Sequence, residues 1–197
     1  MTDPETIRIY DRRAADYAAL TEGHTADSPV LRAFIAACPP GGRVLDLGCG
    51  PGTAAGLMAA AGLQVDALDA SEEMVALARA HPGVSARQAS FDQVSGIALY
   101  DGIWASFSLL HAPRGDMPSH LATLKTALKP GGIFHIGLKL GQGEARDTLG
   151  RLYTYYTEDE LVQLLEQAGF TVDDCRRGTS TGLDGTAAPH ILVTAHG

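Results

Sequence analysis

The sequence predicts a doubly wound α/β fold: a mostly parallel seven-stranded sheet with helices on both faces and an antiparallel last strand. Three observations predict it. Short apolar, β-branched segments alternate with helical ones, the order that builds parallel sheets. A glycine-rich turn, GCGPG (residues 48–52), follows the first strand-like segment, and in open sheets ligands settle beyond the carboxyl ends of strands, where strand order reverses. The chain has 197 residues, 45% of them apolar, enough for one domain with one core. The expected organisation is a single domain over 1–197, with a helical lid or edge segment over 1–40 and the α/β core over 41–197.

The elements follow in order. Helical stretches near 4–20 and 28–37 precede the first strand, RVLDLG (43–48), and a small-residue helix runs from about Thr53 to Ala61. QVDALD (64–69) leads into SEEMVALARA, where Ser71 is a good N-cap and Met74, Leu77 and Ala78 share a face. Next come VSARQA (84–89), YDGIWAS (100–106) and a helix in MPSHLATLKTALK, with Leu121, Leu124 and Leu128 in one stripe. KPGG (129–132) is expected to stop that helix before the strand IFHIGLK (133–139). Thr157 and Glu160 form a capping box at the start of TEDELVQLLEQAG, whose Leu161, Leu164, Leu165 and Ala168 point one way. FTVDDCR and HILVTAH close the chain without a helix between them, which predicts an antiparallel pair.

Composition narrows the function. Fifteen Lys and Arg against 23 Asp and Glu leave a formal charge of −8, which disfavours nucleic acid as the main partner. Cys38, Cys49 and Cys175 are odd in number and scattered, a pattern of reduced thiols in a cytoplasmic protein rather than of disulfides or zinc. No cluster has metal-ligand spacing, so no metal site is expected. The first residues, MTDPETIRIYDRR, do not resemble a signal peptide, and no apolar run reaches the ~18 residues of a membrane span.

Two carboxylates decide what the glycine turn holds. A pyrophosphate resting there would lie close to the negative Asp46, whereas a cationic group would be attracted. Asp69 ends the next strand, 19 residues after Gly50, a spacing suited to a ribose diol. Together they describe a ligand with a ribose, a positive charge near the turn and no phosphate. S-adenosylmethionine, with its sulfonium and ammonium, satisfies that description.

The chain also resembles the class I S-adenosylmethionine-dependent methyltransferases, which share a Rossmann-like fold. VLDLGCGPG is similar to the family's first motif, ALDAS to its ribose-binding acidic turn, YDGIWASFSLLH to its fourth-strand motif and LKPGGIF to the start of its fifth strand. YYTEDELVQLLEQAGFTV resembles the closing helix and strand of many small-molecule members. The resemblance implies that Gly48, Gly50 and Gly52 admit the methionine part, that Asp46 orients its ammonium and that Asp69 holds the ribose. Ala70 and Met74 would pack on the adenine, although Met74 equally suits the core. Where the family often carries an acid after the third strand this chain has Ser90, with Asp92 two residues on; Phe91 would stack on the adenine or offer its backbone NH. Ala105 and Ser106 would offer backbone oxygen to the ammonium. Tyr17, and less directly Tyr10, resemble tyrosines that close over the cofactor.

Several residues admit two readings. His111, in SLLHAP, is either a general base or a side chain tying down the turn before Pro113. Trp104 reads as core and His24 as a solvated loop residue. Lys139, Glu144, Arg146, Arg151, Tyr153 and Tyr155 either face the acceptor or belong to an exposed polar loop. Ser106 and Ser108 lack a nucleophile motif. The implied activity is methyl transfer to a small molecule, with S-adenosylhomocysteine as product. Lys139, Arg146 and Arg151 suggest an anionic acceptor. The alternatives are a non-catalytic S-adenosylmethionine sensor and a nicotinamide dehydrogenase.

Overall fold

The computed structural model describes residues 3–197. The amino-terminal region forms three helices, α1 (Pro4–Arg12), α2 (Ala14–Ala26) and α3 (Pro29–Ala37), where the sequence suggested two. The break falls at Arg13, with φ −116° and ψ 18°. Asp3 caps α1 by accepting from the Thr6 amide at 2.9 Å, and Ser28 caps α3 through the Leu31 amide at 3.2 Å; a proline follows each cap, where its missing NH is no loss. Helix α2 runs on through TEGHTA, so His24 is an exposed helical residue and not part of a loop.

The core alternates β1 (Arg43–Leu47), α4 (Thr53–Ala60), β2 (Gln64–Asp69), α5 (Glu72–Ala78), β3 (Val84–Gln88), β4 (Tyr100–Ser106), α6 (Met117–Ala127) and β5 (Leu128–Lys139). A small hairpin of β6 (Glu144–Arg146) and β7 (Leu152–Thr154) follows, then α7 (Glu158–Gln167), β8 (Thr171–Thr181) and β9 (Ala187–His196). The sheet order is β3-β2-β1-β4-β5-β9-β8, with β9 antiparallel to both β5 and β8 and the other pairs parallel. This matches the predicted sheet. The KPGG turn, expected outside the fifth strand, lies within β5: pairing to β4 jumps from Tyr100↔Leu128 to Gly102↔Ile133. The extra residues bulge outward, and the Gly131 amide donates to the Gly197 carbonyl at 2.6 Å.

Strand order reverses between β1 and β4, which opens a crevice at their carboxyl ends. Alternation along β1 places its side chains. Leu45 and Leu47 enter the core under α6 and α7, while Val44 joins the core under α3 and α4 with Met58, Val65 and Trp104. Asp46 shares Val44's face, so the fold places a carboxylate at the end of an apolar file. Asp46, Trp104 and His135 stand in register on neighbouring strands β1, β4 and β5.

Candidate cofactor and acceptor site

Beyond β1 the chain turns through Gly48, Gly50 and Gly52, with φ of +68°, +54° and +83°. Side chains disfavour such angles, and space forbids them as well. A Cβ on Gly48 would lie 2.2 Å from the Ser108 Cβ, and one on Gly52 would lie 2.6 Å from the Ala78 Cα. The Gly48 and Cys49 amides donate to the Leu68 carbonyl at 2.7 and 2.9 Å, and the Gly50 amide donates to Asp69 Oδ2 at 2.8 Å. The turn is thus fastened to the end of β2. Gly48 and Gly50 border the crevice, whereas Gly52 faces α5 at the start of α4.

Asp69 Oδ1 accepts the Ser71 amide at 2.9 Å. Burial raises its pKa, and the amides of Ser71, Gly50 and Ala70 draw it partly back. A carboxylate has about four acceptor positions, so capacity remains for a diol. A narrow cleft opens here, bordered by Asp69, Ala70, Met74, Phe91, Tyr17 and His111. Met74 serves both readings, since it is also buried against the core. Ser90 does not border the cleft; its amide is bound by Gln93 Oε1 at 2.8 Å as the cap of a 3₁₀ turn. The Ala105 side chain points into the core beneath α6.

On the other side of the turn lies a wider chamber of about 610 Å³, bordered by Asp46, Trp104, Ser106, Phe107, Lys139 and Tyr153 among others. Asp46 is 3% exposed, and its Oδ2 has no hydrogen-bond partner. Burial, reinforced by the charge of Asp69, pushes its pKa up to about 7, with the Ala55 amide opposing. A buried, unpaired carboxylate oxygen suits a cationic amine and repels a phosphate. The residues present therefore fit S-adenosylmethionine: Asp46 for the ammonium, Asp69 for the ribose, and Gly48 and Gly50 for close backbone approach.

His111 belongs to a chain of hydrogen bonds. Its Nδ1 lies 2.6 Å from the Leu152 carbonyl and its Nε2 2.8 Å from the Tyr10 hydroxyl, while Arg151 donates to the Tyr10 oxygen at 2.9 Å. A carbonyl only accepts, so Nδ1 carries the proton and Nε2 accepts from Tyr10. Burial pushes the His111 pKa down to about 4, and the ring is neutral near pH 7. Tyr10 and His111 thereby join α1 to β7.

The segment after β5 is a hairpin folded back on α1, with Glu144 and Arg146 exposed and Arg151 and Tyr153 buried. Arg146 grips both oxygens of Asp3 at 3.0 and 2.9 Å, the Leu152 amide donates to Thr6 Oγ1 at 2.9 Å, and the buried Arg151 pairs with Asp147 at 2.6 Å. Glu144 accepts from the Arg114 amide at 2.6 Å. Tyr153 is buried, and Tyr155 stacks beside it. Of the three cations expected at the mouth, Lys139 and Arg151 border the chamber and Arg146 does not, and Arg151 is already neutralised. The anionic-acceptor expectation narrows to one lysine.

Sequence reasoning missed several bordering residues. Trp104 is core, as read, yet it also faces the chamber and stacks on His135 with ring centres 3.8 Å apart. Phe107 has φ +54°, a strained angle of the kind found at functional sites; its position just after β4 was the available signal. His135 and His190 gave none.

Fold and crevice together define a doubly wound α/β protein whose glycine turn lies between two carboxylates, each raised in pKa by burial, at the point of strand reversal. The sequence pattern of a methyltransferase domain matches residues 21–174. The chain belongs to this family, the class I S-adenosylmethionine-dependent methyltransferases. It is 35% identical over 118 residues to a ubiquinone biosynthesis O-methyltransferase of Xanthomonas campestris pv. campestris, covering 55% of this chain and 48% of that one. The chain thus spans about half the length of the curated relatives it matches. Among solved structures, an S-adenosylmethionine-dependent methyltransferase of Methanosarcina mazei superposes with a TM-score of 0.74 at 20% identity, over 86% of this chain and 97% of that one. The 1,6-didemethyltoxoflavin-N1-methyltransferase of Burkholderia thailandensis, with 1,6-didemethyltoxoflavin and S-adenosylhomocysteine bound, superposes at 0.68 and 24% identity, over 100% and 91%. At these identities the likeness is one of fold. Among the described residues, no helix is long and apolar enough to cross a membrane.

Proposed function

We propose that this chain transfers a methyl group from S-adenosylmethionine to a small molecule seated in the chamber beside the glycine turn. The observation that carries this reading is the pair of acids flanking the turn: Asp69 fixed by backbone amides, and Asp46 buried with one oxygen unpaired. Bound there, the cofactor supplies an already activated methyl group. Asp69 accepts from the ribose, Asp46 faces the ammonium, and Ala70, Met74 and Phe91 border the place of the adenine. The chamber volume lies within the ~300–1,000 Å³ usual for small-molecule sites.

Helices α1 and α2 act as a cover, while α3 packs against the sheet as part of the core. Tyr10 and Tyr17 lie over the crevice, and ties from Arg146, Arg151 and His111 hold α1 down, which excludes water. His111 is a positioning residue in this arrangement, because its free lone pair is occupied by Tyr10. Orienting the acceptor is then the main task, and orientation can contribute ~7–11 kcal/mol. An acceptor that arrives ionised requires no base. The O-methyltransferase and N-methyltransferase names of the similar proteins agree with a compact acceptor.

Isothermal titration with S-adenosylmethionine, S-adenosylhomocysteine and NAD tests the site. The first two should bind and NAD should not; NAD binding, or a diphosphate against the turn in a soaked crystal, would overturn the reading. The same occupied His111 supports a second reading, a non-catalytic cofactor sensor. Tight cofactor binding with no S-adenosylhomocysteine formed across a broad panel of small acids, phenols and amines would favour the sensor.

A further inference from the structure

The chamber is bordered by a lysine that forms no ion pair with any described residue. Lys139 ends β5 and is 9% exposed, and its ammonium sits 4.0 Å from the centre of the Tyr153 ring. Among the described residues it makes no hydrogen bond and no ion pair. The neighbouring arginines differ: Arg151 pairs with Asp147 at 2.6 Å, Arg146 with Asp3 at 2.9 Å and Arg114 with Glu160 at 2.6 Å. Two acids act on Lys139 only through space, Asp184, which accepts the Thr186 amide at 3.1 Å, and Asp147, already held by Arg151. Its pKa is accordingly lowered, with burial the main cause. The residue is mostly buried but its ammonium opens onto the chamber, where an anionic ligand would meet a charge that no described side chain has already paired.

The surroundings indicate the shape of that ligand. His135 and Lys139 alternate onto one face of β5. His135 is buried with both ring nitrogens unpartnered, and its ring lies flat on Trp104. Trp104, Phe107 and Tyr153 add aromatic surface to the same chamber. Asp46 lies two strands from His135, and Lys139 lies about 13 Å further along β5. A carboxylate suited to a cation and a cation suited to an anion thus stand well apart. Gly182 lies beside the ammonium, where a Cβ would be 3.5 Å from Nζ.

We propose that Lys139 binds an anionic oxygen of the methyl acceptor, and that the acceptor is a flat conjugated acid, such as a phenolate, enolate or aromatic carboxylate, lying against Trp104, Phe107 and Tyr153. The assignment rests on the methyl-transfer reading of the chamber. It gives the unpaired ammonium its counter-charge and leaves Asp46 to the cofactor.

The probes are benzoate, its neutral near-isostere benzamide, and 4-nitrophenol, titrated into protein saturated with S-adenosylhomocysteine. Benzoate should bind at least ~10-fold more tightly than benzamide, and bound 4-nitrophenol should show the yellow ionised form at a pH where the free compound is mostly protonated. In Lys139→Met, which keeps the stem over Tyr153, benzoate affinity should fall by roughly 10- to 100-fold, the loss of a hydrogen bond to a charged group. The yellow shift should vanish as well, while Lys139→Arg should stay within a few-fold of wild type. Equal binding of benzoate to wild type and Lys139→Met, equal binding of benzoate and benzamide, or no probe binding to wild type would each overturn the proposal. S-adenosylhomocysteine titration of both proteins separates the two levels. Normal cofactor binding with no Lys139 effect sinks this assignment alone, and absent cofactor binding sinks the methyl-transfer site with it.

Discussion

Replacing Asp46 by asparagine removes a charge that the folded chain tolerates poorly on its own and that a cationic ligand rewards. The Asp46 carboxyl loses its proton near 3.8 in an unfolded chain and near 7 in the folded one. Between those values the folded state holds the extra proton, so stability falls as pH rises from about 4 to about 7 and levels off above. The full difference is of order 4 kcal/mol at 1.36 kcal/mol per pKa unit, so Asp46→Asn should be the more stable protein near pH 8 when no ligand is bound. Ligand binding runs the other way. If the ammonium of S-adenosylhomocysteine requires ionised Asp46, affinity should rise about tenfold per pH unit up to about pH 7, and binding near pH 6 should release about 0.9 proton. Isothermal titration in buffers of different ionisation heat reads both quantities. Asp46→Asn should bind more weakly near pH 7.5 and show no such slope. A wild-type affinity flat from about pH 5.5 to 7.5, or an Asp46→Asn slope equal to wild type, would refute the electrostatic reasoning.

Further outcomes follow from individual contacts. Asp69→Ala should weaken S-adenosylmethionine binding by ~1–3 kcal/mol, the scale of lost hydrogen bonds; unchanged affinity in a folded variant, measured by titration calorimetry, removes the ribose assignment. Gly48→Ala places a Cβ against Ser108 at a φ of +68° and should destabilise by ~2–4 kcal/mol or more in urea melts. A variant within ~0.5 kcal/mol of wild type would mean the turn relaxes freely. Arg151→Met strands the buried Asp147 carboxylate and releases Tyr10. Urea unfolding should show a loss of ~3–5 kcal/mol, partly recovered when Asp147 is also made apolar, and a loss below ~1 kcal/mol contradicts the buried pair.

The sequence by itself determined the sheet, the glycine turn and the two carboxylates beside it, because each is written in short-range signals. Alternation places Asp46 on the face of Val44, Ser71 caps α5, Thr157 and Glu160 cap α7, and the 19 positions from Gly50 to Asp69 span the turn, one helix and the next strand. The turn angles of Gly48, Gly50 and Gly52 demand glycine whatever surrounds them. Only the tertiary structure decided which charges are spent and which remain available. Arg146 finds Asp3 across 143 positions, Tyr10 finds His111 across 101, and the segment that reads equally as acceptor-facing or as a polar loop becomes the hairpin that pins α1. No local pattern encodes such pairings, since they depend on where packed elements bring distant side chains together. For the same reason His135 and Lys139, ordinary residues in a strand, gain chemical meaning only once Trp104, Tyr153 and the end of β5 enclose them.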